Sequence, residues 1–257
     1  MNTKTLTARA LSTISQYLHF QVGPAVSSIP YFNNKTRGAR GSLRAYVGKG
    51  SPKEIFEEVE TIIIKNHIQQ DTLSDEGLKK LLVDNNLGID CSGLTFYVLQ
   101  AESEERSGGA FDRKITFVNC HGLRKLSCAL NPVGNCDVST LVHDKNSRIV
   151  SLAEIQPGDF ISMVGGPDGS DRNHILVIHQ VEYQNSGPTK VHYTHAVAYP
   201  EDGQYGTGIK QGVIEILDPQ KPITDQRWTE HETQDTTNRI YARAQKSTTE
   251  VRRLNWF

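Results

Sequence analysis

Cysteine is the side chain best suited to nucleophilic chemistry, and Cys91 occupies a special place in this chain. It lies in the run Gly88-Ile89-Asp90-Cys91-Ser92-Gly93-Leu94. Asp90 is a good N-cap, and Leu94, Tyr97, Val98 and Ala101 follow at helical spacing. The run therefore predicts a helix that begins at Cys91. N-H groups in a first helical turn lack intrahelical partners, and the helix dipole favours negative charge there. Both effects favour the thiolate, the reactive form of the residue. The same N-H groups can hold an oxyanion, and Gly93 would let a substrate backbone approach. The plain alternative is a small buried residue, since free cysteines are often buried.

A thiol nucleophile needs a base. His174 opens the apolar run His174-Ile175-Leu176-Val177-Ile178, at the mouth of an expected strand. His195 lies in Val191-His192-Tyr193-Thr194-His195-Ala196-Val197 and shares the apolar parity of Val191, Tyr193 and Val197. The two histidines flank a hairpin with its turn near residues 184–188. A turn centred at 184 or 185 puts them opposite each other, with Cβ atoms about 5 Å apart. A turn one residue later offsets them. A histidine facing a histidine suggests an orienter that fixes the tautomer of the base.

Other chemistry-bearing residues carry weaker patterns. Cys120, His121, Cys128, Cys136 and His143 offer zinc-ligand types, but the cysteines are spaced by eight. Structural zinc sites pair ligands two to four residues apart, so ordinary thiols are the better expectation. A chain of this size without an export signal points the same way, to free thiols. His67, His179 and His192 have no partner that spacing identifies. Asp168, Asp171 and Arg172 fit either a lid over the cleft or a solvated turn.

The elements that must position these groups run from helices to strands. Leu6, Ala10, Ile14, Tyr17 and Leu18 mark an amphipathic helix in an N-terminal extension over residues 1–50. Ser51, Pro52 and Glu54 form a capping box ahead of the stripe Ile55, Val59, Ile62 and Ile63. A short helix covers 75–84, and another covers 117–130. Strands are expected at 159–164, 174–182, 190–198, 212–217, 239–244 and 250–256. Helices first and an antiparallel sheet after define an α+β domain over residues 51–257.

Composition narrows the function classes. The 257 residues carry 28 basic and 29 acidic side chains, for a net charge of −1. That balance gives no footprint for nucleic acid. No apolar run approaches the ~20 residues of a membrane helix. Arg9, Ser12, Ser15 and Gln16 break any secretory core near the N-terminus. The expectation is a cytoplasmic protein, with release to act on a cell wall as the alternative.

Four ordered segments resemble the NlpC/P60 family of papain-like cysteine peptidases. They are Asp90-Cys91-Ser92-Gly93, Gln156-Pro157-Gly158-Asp159-Phe160, His174-Ile175-Leu176-Val177-Ile178 and Tyr193-Thr194-His195-Ala196. The resemblance implies a papain-like fold and a catalytic domain with insertions. It implies a Cys91, His174 and His195 triad, with Asp90 and Ser92 touching substrate and no metal or cofactor. Tyr46-Val47-Gly48-Lys49-Gly50 resembles the family segment whose tyrosine, here Tyr46, helps the oxyanion hole. The implied substrate is a peptide or muropeptide amide in peptidoglycan. Acyl transfer or a non-wall amide is the enzymatic alternative, and a non-catalytic binding module on the same fold is the other.

Overall fold

A computed structural model of the chain describes residues 2–33, 43–118, 120–122, 124–166, 173–184, 187–230 and 238–257. Asp168, Asp171 and Arg172 lie outside them, as does the tip of the central hairpin. The chain is α+β. Among the described residues no helix is long and apolar enough to cross a membrane.

Helices dominate the first half: α1 Ala8–Leu18, α2 Pro52–Lys65, α3 Asp75–Asp84 and α4 Cys91–Ser107. Each starts where a side chain can replace missing backbone partners. Thr7, Ser51, Ser74 and Asp90 all accept an N-H from their own first turn. The capping box of α2 forms as the sequence predicts, with the Glu54 carboxylate 2.8 Å from the Ser51 N-H. Between α4 and the main sheet lie four short helices: α5 Phe111–Lys114, α6 Arg124–Leu130, α7 Pro132–Asn135 and α8 Val138–Leu141. The single helix expected over 117–130 is therefore shortened to α6.

The strands are β1 Asn2–Thr5, β2 Phe20–Val22, β3 Ala25–Ser27, β4 Ser147–Ile149, β5 Phe160–Val164, β6 His174–Gln184, β7 Gly187–Val197, β8 Gly208–Glu215, β9 Arg227–Glu230 and β10 Thr248–Leu254. Eight form one antiparallel sheet in the order β4-β10-β5-β6-β7-β8-β9, with β1 also paired to β6. Residues 239–244, expected as a strand, are helix α9, Arg239–Ala244. Asn238 caps it, and Ile240 and Ala244, one turn apart, are its buried pair. Its apolar residues fit either period over so short a run, and the cap decides for the helix.

Alternation divides the sheet into two cores. Phe160, Ile175, Val177 and Ala196 pack with α1 and α4 in the larger one. Ile161, Met163, Leu176, Ile178, Tyr193 and Trp228 pack with Ile240 and Ala244 of α9 in the other. The first residues are part of this body. β1 pairs with β6, α1 packs on α4, and Leu6, Ala10, Ile14 and Tyr17 are buried in the larger core. The Asp159 of the Pro-Gly-Asp turn ties β5 to β10. It takes the Arg253 guanidinium at 2.7 and 2.9 Å and the Gln156 N-H at 2.8 Å.

Cys120 and Cys128 are joined as a disulfide, with Cα atoms 6.4 Å apart. This corrects the expectation of free thiols for that pair. α6 brings Cys128 back over the loop that carries Cys120. Cys91 and Cys136 are the free ones. The bond uses two of the thiols that zinc would need.

Candidate active site

The segment that presents Cys91 is gripped from both sides. Ile89 bridges Tyr31 on one flank and Lys49 on the other. The Ile89 N-H donates to the Pro30 carbonyl at 3.0 Å, and the Asp90 N-H donates to the Gly48 carbonyl at 2.8 Å. Gly48 has φ +75°, a left-handed conformation that glycine adopts without a Cβ clash. At Gly93 a Cβ would come within 2.7 Å of the Ile89 side chain and 3.0 Å of the Gly48 carbonyl. The bare face of Gly93 thus serves close packing of this scaffold, where the sequence suggests room for substrate.

α4 then begins at Cys91 as expected. Asp90 Oδ1 accepts the Gly93 N-H at 2.6 Å and the Ser92 hydroxyl at 3.0 Å. A third partner is one that spacing gives no hint of. The Lys49 ammonium donates to Asp90 Oδ1 at 2.9 Å, to Ser92 Oγ at 2.6 Å and to the Cys136 carbonyl at 3.1 Å. Lys49, Asp90 and Ser92 are all buried. Asp90 and Ser92, expected to touch substrate, are committed to this network at the start of α4.

Cys91 is only 5% exposed. Burial first, and then Asp90, push its thiol up to about 11. Lys49, Arg243 of α9 and a hydrogen bond from the Ile175 backbone act in the opposite direction. A bond that favours a thiolate must be donated to it, so the Ile175 N-H points at the sulfur. His174 is the neighbouring residue.

His174 and His195 come together as the hairpin predicts, in the offset register. Val177 stands opposite Thr194 and Ile178 opposite Tyr193. In that register His195 falls level with Leu176, and His174 lies diagonal to it on the same face. Diagonal neighbours are within reach of large side chains, and the gap closes to 2.7 Å between His174 Nε2 and His195 Nδ1. Burial, then His195 and then Arg243, hold His174 well below the usual imidazole range.

By alternation the two histidines belong to the face that α9 covers, whereas α4 packs on the other face. The two sides meet at the end of the sheet where β6 begins and β7 ends. Arg243 marks the meeting point, since its charge acts on Cys91, His174 and Tyr31 alike.

Three participants escape sequence reasoning. Glu230, at the end of β9, places Oε1 2.5 Å from His195 Nε2, and both side chains are fully buried. The Tyr199 hydroxyl donates to Glu230 Oε2 at 2.7 Å. Tyr31 pairs with Ile89 on the flank of the segment that presents Cys91, and its phenol is raised by burial first and next by Cys91, so it stays protonated. Tyr46, the sequence candidate for that position, donates instead to Glu58 of α2 at 2.8 Å.

What the arrangement can do chemically follows from these contacts. A thiol sits at a capped helix start, on the backbone N-H of Ile175, the residue after His174, and His174 opens a two-histidine and carboxylate chain. Gly93 and Leu94 spend their N-H groups on Asp90. Those of Cys91 and Ser92 remain as first-turn donors without an intrahelical partner. Compared with known proteins, the chain matches no family model, no curated protein and no solved structure.

Proposed function

We propose that this protein is a cysteine-dependent amide hydrolase of papain-like type, similar to the NlpC/P60 peptidases. The observation that carries the reading is the chain His174, His195 and Glu230, hydrogen-bonded end to end, with the thiol at the start of α4 on the backbone of Ile175, the residue after His174. His174 uses Nε2 toward His195, so Nδ1 is the nitrogen left to serve as base. As the sulfur attacks the amide carbonyl, the thiol proton passes to His174 and the oxyanion forms near the Cys91 and Ser92 N-H groups. The amine then leaves with that proton, giving a thioester. Water attacks it, His174 takes the water proton, and the acid and the free thiol are released.

The peptide or muropeptide substrate rests on the resemblance of the four motifs alone. The test is digestion of muropeptides and of simple peptide amides, followed by mass spectrometry of the products. Cleavage that is lost in Cys91→Ala is the expected result. Equal cleavage by Cys91→Ala sinks the reading. A product that carries an added amine in place of water would point to acyl transfer through the same thioester.

A second reading has its own support. Cys91 is 5% exposed, and its thiol is held protonated at rest. Those properties suit a binding module that keeps the fold without turnover. Absence of any Cys91 acylation by activated esters would favour it.

A further inference from the structure

The hydrogen-bond chain behind the base has a direction. A carboxylate accepts hydrogen bonds and donates none. Glu230 therefore fixes the proton of His195 on Nε2. His195 Nδ1 is then an acceptor and takes the Nε2 proton of His174 across 2.7 Å. His174 Nδ1 is left with its lone pair, which is what a base beside Cys91 requires. Tyr199 occupies the second oxygen of Glu230 and fixes the carboxylate plane. β9 pairing sets the distance, since Gly212 stands opposite Glu230 and Tyr193 opposite Gly212.

The surroundings of the two rings differ in sign. His174 faces the Arg243 cation and the second imidazole. His195 has Glu230 at 2.5 Å. The other titratable groups near the pair are Cys91 of α4, Tyr193 and Tyr199. The Tyr193 ring lies 5.6 Å from that of His195. Lys210 stands opposite His195 on β8, but its ammonium is held by Asp202 at 2.8 Å and lies over the Tyr199 ring. A positive charge is thus better placed on His195 than on His174.

We propose that the proton taken from Cys91 is relayed through His174, so that the charge comes to rest on His195 beside Glu230. As the sulfur attacks, the S-H proton moves to His174 Nδ1, and the Nε2 proton of His174 moves to His195 Nδ1. The charge-separated state is then a His195 imidazolium against the Glu230 carboxylate, with His174 neutral. On departure of the amine the steps reverse. His195 returns its Nδ1 proton to His174 Nε2, and His174 Nδ1 protonates the leaving nitrogen. Glu230 and Tyr199 are positioning residues in this scheme. The relay rests on the reading of Cys91 as nucleophile and His174 as base.

The experiment combines acylation of Cys91 by p-nitrophenyl acetate, followed across pH, with ring nitrogen-15 shifts of the histidines. Glu230→Gln keeps an acceptor of the same shape and loses the charge, and Tyr199→Phe removes the second donor. In the wild type both rings should show the Nε2-H tautomer, His195 donating to Glu230 and His174 to His195. Glu230→Gln should slow acylation by about 10²-fold, within the usual range for acid–base groups. It should also move the lower inflection of the rate profile to lower pH. Tyr199→Phe should shift the same inflection less far. A Glu230→Gln protein with the wild-type plateau and inflection overturns the relay. His174→Ala separates the two levels. If it leaves acylation unchanged, the nucleophile and base reading itself fails. If it slows acylation while Glu230→Gln does not, only the relay falls.

Discussion

Alkylation of Cys91 by iodoacetamide probes the balance of forces at the start of α4. Burial and Asp90 push the thiol up to about 11, against Lys49, the Ile175 N-H and Arg243. The rise from the ordinary thiol value of 9.0 to about 11 corresponds to about 2.7 kcal/mol, or about 100-fold less thiolate at neutral pH. Desolvation penalises the charged form, so the shift is upward and the rate must climb with pH. It should rise about tenfold per unit until ionisation levels off near the folded value. The assay is the second-order rate constant of Cys91 labelling across pH, read from the mass of the peptide that contains it. Cys136 serves as an internal standard, because it is fully buried and burial also raises its thiol. It should stay unlabelled until the protein unfolds. An inflection in the Cys91 profile below about pH 8 would refute the reasoning, since the helix start and the cations would then outweigh burial. The chemical consequence is specific. With the thiol raised and His174 depressed, the resting pair is neutral, so under the proposed mechanism His174 would take the proton only during attack on substrate.

Two further perturbations test the scaffold. Lys49→Met removes the cation between Asp90 and Ser92 and leaves a buried carboxylate uncompensated. A loss of about 3–5 kcal/mol is expected, read as a lower urea midpoint, and a loss under 1 kcal/mol would show that Asp90 finds other partners. His179 donates to or accepts from Thr194 at 2.9 Å, and burial followed by His192 depresses it to about 4. A depressed imidazole binds fewer protons folded than unfolded. Stability present above the ordinary ~6.5 is therefore lost as pH falls toward the folded value, by roughly 3 kcal/mol at most. Urea midpoints should fall more steeply with acid in the wild type than in His179→Gln, and equal slopes would contradict the assignment.

Local signals in the sequence place much of this molecule, and the limits of those signals are physical. The start of α4 is legible because a cap and an apolar stripe are both local. The pairing of His174 with His195 is legible as a shared face, since a strand repeats every two residues. The register is not, because it depends on where the turn is centred. A shift of one residue in the turn moves His195 from level with His174 to diagonal. Glu230 is hidden for a different reason. Arg227-Trp228-Thr229-Glu230 alternates exposed and buried, but a carboxylate at an inward position looks like a solvated residue until its partner is known. That partner, His195, lies two strands away in the sheet. Lys49 is concealed in the same way, since its burial makes sense only once Asp90, Ser92 and the Cys136 carbonyl surround it. Both are charges whose desolvation is offset by partners distant in sequence. Such compensated charges are costly to bury for packing alone, so their position at the start of α4 and behind His195 argues for electrostatic roles there. Lys49 moderates the thiol shift that Asp90 and burial impose, and Glu230 gives the histidine chain its direction. The sequence motifs point to Cys91, His174 and His195, whereas the charges that surround them become visible only in three dimensions.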